Sequence, residues 1–324
     1  MTNKKLFFIN CLALFLLTFV MSAHSARPQS SCVLPTFAGK VLYHNYSSYG
    51  NWDAELFILD FADNSVTNIS STWNIDHEMN GMFSPDGTQI VFMGDKQGGR
   101  RNWDIFLWTI GDDEPVNLTA GSAAREEDPK FSPDGSKIVF KADRDIKVMD
   151  LFGNVLTNVT NTPNIEESMP YYSADGTKIL FAPGVGTGSD IYSINEDGTE
   201  LTAIANRTNF QEYYPVTRDI NSFFFTGWVS NRNRNDQVYL QYMDGSDPVL
   251  LPFNSKRANY SDATPVGLTY AVVSSTKNGG KGGYDNYIAN IHTGQMCSLD
   301  HYNDMANSSF EDLGAHYLPP MANL

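Results

Sequence analysis

Short apolar runs of strand length recur along the chain, alternating with polar positions and closed by turns of Asp, Gly, Asn or Pro. The clearest run, FSPDGTQIVF at residues 83–92, returns almost letter for letter as FSPDGSKIVF at 131–140 and more loosely as YSADGTKILF at 172–181. Asp-Gly between apolar runs predicts a hairpin, because Gly takes positive φ without a Cβ clash. A hairpin repeated at a fixed period predicts a repeat architecture.

The repeat divides into four strands, A to D. Runs rich in β-branched and aromatic residues at 40–45, 89–94, 137–142, 178–183, 222–227 and 268–274 predict the B strands. Each is followed by a loop ending in an aspartate: Asp53, Asp104, Asp145, Asp190, Asp236 and Asp285, separated by 51, 41, 45, 46 and 49 positions. A C strand and a short D strand follow each aspartate. The A strands fall at 77–84, 128–132, 168–173, 212–218 and 262–267. No sixth A strand precedes residue 40, but FEDLGAHYLP at 310–319 supplies one at the other end of the chain. The expected fold is therefore all-β, a six-bladed propeller of four-stranded blades. The C-terminal strand joins the N-terminal blade and closes the ring without an open edge.

The Ser-Pro-Asp-Gly copies, followed by Asp-Ile-Phe or Asp-Ile-Tyr, resemble the WD40-like repeats of the TolB propeller family. The strand pattern covers almost all of the chain after residue 25. The last two blades are degenerate, with Asp219-Ile220-Asn221 in place of one Asp-Gly turn. The resemblance implies the propeller fold. It does not carry over a partner-binding role, because no separate N-terminal domain precedes the repeats. The wider family includes lipoproteins, peptidase-associated propellers and oligogalacturonate lyases, so fold and function are only loosely tied.

Lys4 and Lys5, the apolar run 6–20 and small residues at Ala23 and Ser25 read as a secretory signal peptide over 1–25, with an uncleaved anchor as the rival reading. The propeller domain then spans 26–324, and no other stretch is long and apolar enough to span a bilayer. Export to the periplasm or outside the cell is expected. Two cysteines, Cys32 and Cys297, remain, either paired or as unrelated thiols. Asn-X-Ser/Thr sequons occur at Asn45, Asn68, Asn117, Asn158, Asn206, Asn259 and Asn307. Loss of Lys4 and Lys5 with the leader takes the formal charge from −15 to −17. An acidic protein of this kind has no electrostatic footprint for nucleic acid. A monomer is expected.

In propellers the D–A and B–C loops gather around one mouth of the central channel. On that assignment Glu78, Glu127, Glu167, Glu212, Asp262 and Glu311 form an acidic rim. It would hold a divalent cation at the channel mouth, or the acids would accept backbone N–H bonds at strand starts. The B–C side adds Arg100, Arg101, Trp228, Arg232 and Arg234 as a basic, aromatic collar, with His44 and Tyr213 close to the same mouth. Trp52 and Trp103 read as packing residues. His77, between Asp76 and Glu78, is the histidine best placed to be a general base, and a hydrogen-bonded structural role is its alternative. GxSxG, HExxH, paired CxxC and phosphate-loop motifs are absent from the sequence. Two functions are expected: a module binding a protein or glycan on its loop face, or a lyase or hydrolase acting on an acidic polysaccharide.

Overall fold

The computed structural model describes Cys32 and residues 34–96, 102–162, 164–184, 188–228 and 235–321. The segment read as a signal peptide lies outside them. Residues 34–324 form one compact unit. Its strands build six four-stranded antiparallel sheets. Blade 2 holds β4 (Ile75–Phe83), β5 (Gln89–Lys96), β6 (Trp103–Thr109) and β7 (Val116–Asn117). Blade 3 follows with β8 (Glu126–Phe131), β9 (Lys137–Ala142), β10 (Asp145–Asp150) and β11 (Val155–Asn158). Blade 4 has β12 (Glu167–Tyr172), β13 (Lys178–Pro183), β14 (Ile191–Asn195) and β15 (Thr202–Ala205). Blade 5 has β16 (Gln211–Asp219), β17 (Ser222–Trp228), β18 (Gln237–Tyr242) and β19 (Val249–Leu250). Blade 6 has β20 (Tyr260–Val266), β21 (Tyr270–Ser275), β22 (Asp285–Asn290) and β23 (Met296–Ser298).

Blade 1 is composite. Its sheet order is β24 (Glu311–Leu318), β1 (Lys40–Tyr46), β2 (Glu55–Asp60), β3 (Ser65–Asn68), so the C-terminal strand is its innermost member. Leu42 pairs with His316 and His44 with Leu313 across that junction. The all-β, six-bladed, closed ring expected from the sequence is the observed fold.

The core lies between neighbouring blades. Phe83, Ile90, Phe92 and Trp108 of blade 2 pack with Leu42 and Leu56 of blade 1, while Met79, Val91 and Ile105 pack with Phe131, Ile138 and Phe140 of blade 3. No blade buries both faces by itself, so each depends on the next.

Two side-chain devices recur, each in three of the blades. At the Asp-Gly turn, Asp86 Oδ1 accepts from Ser84 Oγ (2.6 Å) and Thr88 N (3.1 Å), and the same contacts recur at Asp134 and Asp175. At the other end, Asn68, Asn117 and Asn158 donate Nδ2 to Glu55, Asp104 and Asp145 at 2.7, 2.7 and 2.8 Å. Two residues on, Ser70, Thr119 and Thr160 accept the N–H of Leu56, Ile105 and Ile146. Three sequons are therefore clasps between D and C strands.

The repeat aspartates fall in two kinds of place. Asp104, Asp145 and Asp285 lie inside their C strands, where Gly94, Ala142 and Ser275 are their partners. In blades 1 and 5 the equivalent partners are Glu55 and Gln237, whereas Asp53 and Asp236 lie in the loops before them. Both remaining cysteines, Cys32 and Cys297, are disulfide-bonded.

Candidate functional site at the channel mouth

Each inner strand carries the same irregularity. A one-residue bulge interrupts pairing after Met79, Glu127, Ser168, Tyr213, Ser261 and Leu313. The bulged residue is left-handed in all six: Asn80, Asp128, Met169, Tyr214, Asp262 and Gly314, with φ from 51° to 64°. Asn, Asp and Gly tolerate this backbone, whereas Met and Tyr occupy it at a cost of about 1–2 kcal/mol. Gly314 is needed for a second reason: a Cβ there would lie 2.5 Å from the His44 ring. These six residues form a ring around the axis.

Above the ring opens a funnel of about 980 Å³, lined from both the D–A and B–C loops. One wall, from blades 5, 6 and 1, is aromatic: Tyr46, Tyr49, Tyr213, Tyr214 and Tyr284. Tyr46 and Tyr49 meet edge to face at 6.2 Å, and the Tyr213 hydroxyl hydrogen-bonds Asp236. The opposite wall, from blades 3 and 4, is a salt-bridge network. Lys141 is bonded to Glu166 (2.6 Å) and Glu127 (3.1 Å), and Glu127 also takes Arg125 (2.7 Å). Burial pulls the Lys141 ammonium down, but its two carboxylates outweigh that and hold it above the ordinary lysine value. Among the described lining residues, Arg125, Lys141 and Arg144 stand against six carboxylates: Glu127, Asp128, Asp143, Glu166, Asp236 and Asp262.

On the floor, Asp128 Oδ1 accepts from Asn80 Nδ2 at 2.7 Å, and Asp262 Oδ2 from Gly314 N at 3.3 Å. Burial pushes Asp262 up to about 6 despite the Gly314 bond. Lys130 lies just beneath, donating to the carbonyls of Pro129 (3.1 Å) and Asn80 (3.5 Å). Its burial lowers its pKa against the opposing pull of Asp128 and Asp262.

The residues singled out from the sequence divide sharply. His44, Tyr213, Glu127 and Asp262 line the funnel. Arg100, Arg101, Arg232 and Arg234 lie outside the described residues. Trp228 is half-buried behind the wall, 5.1 Å from the Tyr213 ring. Glu78, Glu167 and Glu212 are buried at strand starts instead of rimming the funnel. Glu167 accepts from Thr160 and Thr162, and Glu212 from Arg207 Nε (2.9 Å). Burial, with repulsion from Glu55, drives Glu78 up to about 9. Glu311 accepts the backbone N–H of Tyr284 at 2.7 Å. Among the described residues, no group of three or more His, Cys, Asp or Glu could hold a metal ion.

His77 is 0% exposed. Its Nδ1 accepts the Ala54 N–H at 2.7 Å, and its ring packs on Trp52 (4.9 Å) and Trp103 (5.0 Å), which also touch each other at 5.0 Å. Burial lowers its pKa to about 4. A general base must reach a substrate proton, and His77 does not line the funnel. The packing roles expected for Trp52 and Trp103 are those observed. The sequence did not single out Arg125 and Lys141 of the wall, nor Asn80, Met169, Tyr214 and Lys130 of the floor. The shared signal of the last four is the position two or more residues after the buried inner-strand acid.

No family model matches the sequence, and no curated protein matches it either. Solved structures do match. TolB from Acinetobacter baumannii is similar at 16% identity and a TM-score of 0.68, over 88% of this chain and 68% of that one. A chain of the nidogen–laminin complex is similar at 10% identity and a TM-score of 0.60, over 88% and 100%. Oligogalacturonate lyase from Vibrio parahaemolyticus is similar at 15% identity and a TM-score of 0.51, over 81% and 73%. At these identities the likeness is one of fold.

Proposed function

We propose that this TolB-like six-bladed propeller is an exported binding module that takes a protein segment into the funnel at its channel mouth. One observation carries the reading: a cavity of about 980 Å³, walled by tyrosines on one side and by fixed ion pairs on the other, on a rigid ring. Concave sites with aromatic walls and a few fixed polar groups are the usual form of a ligand site. Nidogen and laminin, whose complex contains a chain of similar fold, are a precedent for a protein partner. The polysaccharide-lyase reading loses support, because its base is fully buried against Trp52 and Trp103 and acids outnumber bases among the described lining residues. That described lining would repel an acidic glycan. Export rests on the leader read in the sequence, and among the described residues no helix is long and apolar enough to cross a membrane.

Site-specific photocross-linking tests the reading. A cross-linker at Tyr49, 54% exposed on the funnel rim, should trap one defined polypeptide. A cross-linker at Phe152, 86% exposed away from the funnel, should not. Equal capture at both positions, or a neutral glycan as the only species held at Tyr49, would overturn it.

A further inference from the structure

We propose that the floor of the funnel is a site for a primary ammonium group, received by Asp128 and Asp262 beside Tyr46, Tyr214 and Tyr284. The proposal rests on the funnel being the binding site and names the chemistry it selects. Three observations converge on it.

The first is the tyrosines. Tyr46, Tyr214 and Tyr284 come from blades 1, 5 and 6, and all three line the funnel. Each lies within the field of Asp262. Tyrosines beside a carboxylate favour a cation, since the ring quadrupole and the acid attract the same charge and the phenol oxygens can accept from an ammonium group. An anion would meet both as repulsion.

The second is the placement of the carboxylates. Asp128 and Asp262 stand at equivalent left-handed bulges on β8 and β20 and line both the funnel and the narrower channel below it. The bonds from Asn80 and Gly314 fix both at the floor. Lys130 offsets one of the two charges from beneath. The described funnel lining still holds six carboxylates to three cations, and Glu127 and Glu166 already bind Lys141 and Arg125 on the far wall. The surplus negative charge therefore faces the tyrosine side.

The third is a hydrogen-bond donor without a protein acceptor. His44 lines the funnel, is 1% exposed, and has no partner at Nε2. Its Nδ1 accepts from Asn80 N at 3.4 Å, which leaves the proton on Nε2. A buried donor left unmatched is costly. A ligand carbonyl that reached it would satisfy it, and a lysyl residue in a peptide carries such a carbonyl whereas a simple diamine does not.

Calorimetric titration of the full chain with three probes tests the site: a capped tripeptide with lysine at its centre, the same peptide with that lysine Nε-acetylated, and cadaverine. Acetylation should weaken binding about 10-fold or more, with cadaverine intermediate, and added salt should weaken both amines. Asp262→Asn keeps the acceptor for Gly314 N and a side chain suited to left-handed backbone. It should weaken the lysyl peptide about 10-fold at an unchanged Tm. Tyr284→Leu should weaken it about 5-fold. Cadaverine binding as tightly as the lysyl peptide would point to a free amine as the source and still support the site. Equal affinity for the acetylated peptide, or no effect of Asp262→Asn, would overturn it. That failure is separable from failure of the binding function, which the Tyr49 cross-link reads independently.

Discussion

His77 shows how one side chain's burial redirects a functional reading. A histidine between two acids at a strand start has the sequence signature of a base, but the fold packs it in a three-ring cluster with Trp52 and Trp103, where its Nδ1 satisfies the Ala54 N–H. His77→Ala should lose that acceptor and open a cavity in the blade 1–blade 2 seam. The expected cost is about 3–5 kcal/mol in thermal unfolding, with ligand affinity per folded molecule unchanged. A variant that melts like the wild type but loses binding would return His77 to the site. Met169 teaches the opposite lesson. Nothing in Ser168-Met169-Pro170 announces a left-handed residue, and only the five sister bulges make its φ of 59° intelligible. Met169→Asn should relieve backbone strain, raising stability by up to about 1 kcal/mol in the same assay. The Asp-Gly hairpins were legible because their chemistry is local. The bulge ring was not, because it is set by non-local register and by residues as unlike as Tyr214 and Gly314.

At the scale of the element, the D–C clasp explains a pattern the sequence offered ambiguously. Asn-X-Ser/Thr at 68, 117 and 158 could mark glycan acceptors or turn-rich composition. The structure uses the Asn as donor to an acid and the hydroxyl as acceptor of a strand N–H. Asn117→Ala should cost about 1.5–3 kcal/mol, since its partner Asp104 is a buried carboxylate. Thr119→Val, which removes only the acceptor for Ile105 N, should cost about 1–3 kcal/mol. The double variant should fall short of the sum, because both bonds hold the same two strands. Strict additivity in denaturant melts would mean that the clasp is two independent bonds. The same scale holds the ring closure. β24 pairs along β1 and packs against β4 and β20, so its removal exposes the flanks of three blades. Deleting residues 310–324 should abolish a single cooperative melt. The alternation in FEDLGAHYLP made that strand readable, and the otherwise unfilled inner position of blade 1 gave it an address.

For the whole molecule, the repeat multiplies a titration. Inner strands bury an acid at their starts: Glu78 with a pKa near 9, Glu126 and Asp312 each near 7, and Glu167 and Glu212 also raised, all chiefly by burial. A raised carboxylate binds its proton more tightly folded than unfolded, so stability falls as pH climbs from the ordinary carboxylate range to the folded pKa. The buried histidines act in the other direction. His44 and His316, lowered to about 3, and His77, lowered to about 4, cost stability once pH drops below their ordinary value near 6.5. Between roughly pH 4.5 and 6.5 the two families oppose one another and the melting temperature should be nearly flat. Below that window the histidines act alone, joined by the turn aspartates Asp86, Asp134 and Asp175, whose pKa values are lowered mainly by serine hydroxyl bonds. Above it the acids set the trend, opposed by Lys130, whose burial-lowered pKa acts in the other direction, and by pH 9 Glu78 is the last acid still titrating. Melting curves should therefore decline from pH 6.5 to 9. Glu78→Gln, which keeps the neutral shape without the titrating proton, should remove the upper part of that decline and melt above the wild type at pH 9. A wild-type curve that rises from pH 6.5 to 9, or a Glu78→Gln curve parallel to it throughout, would show that the buried acids are not the groups that set the alkaline limit.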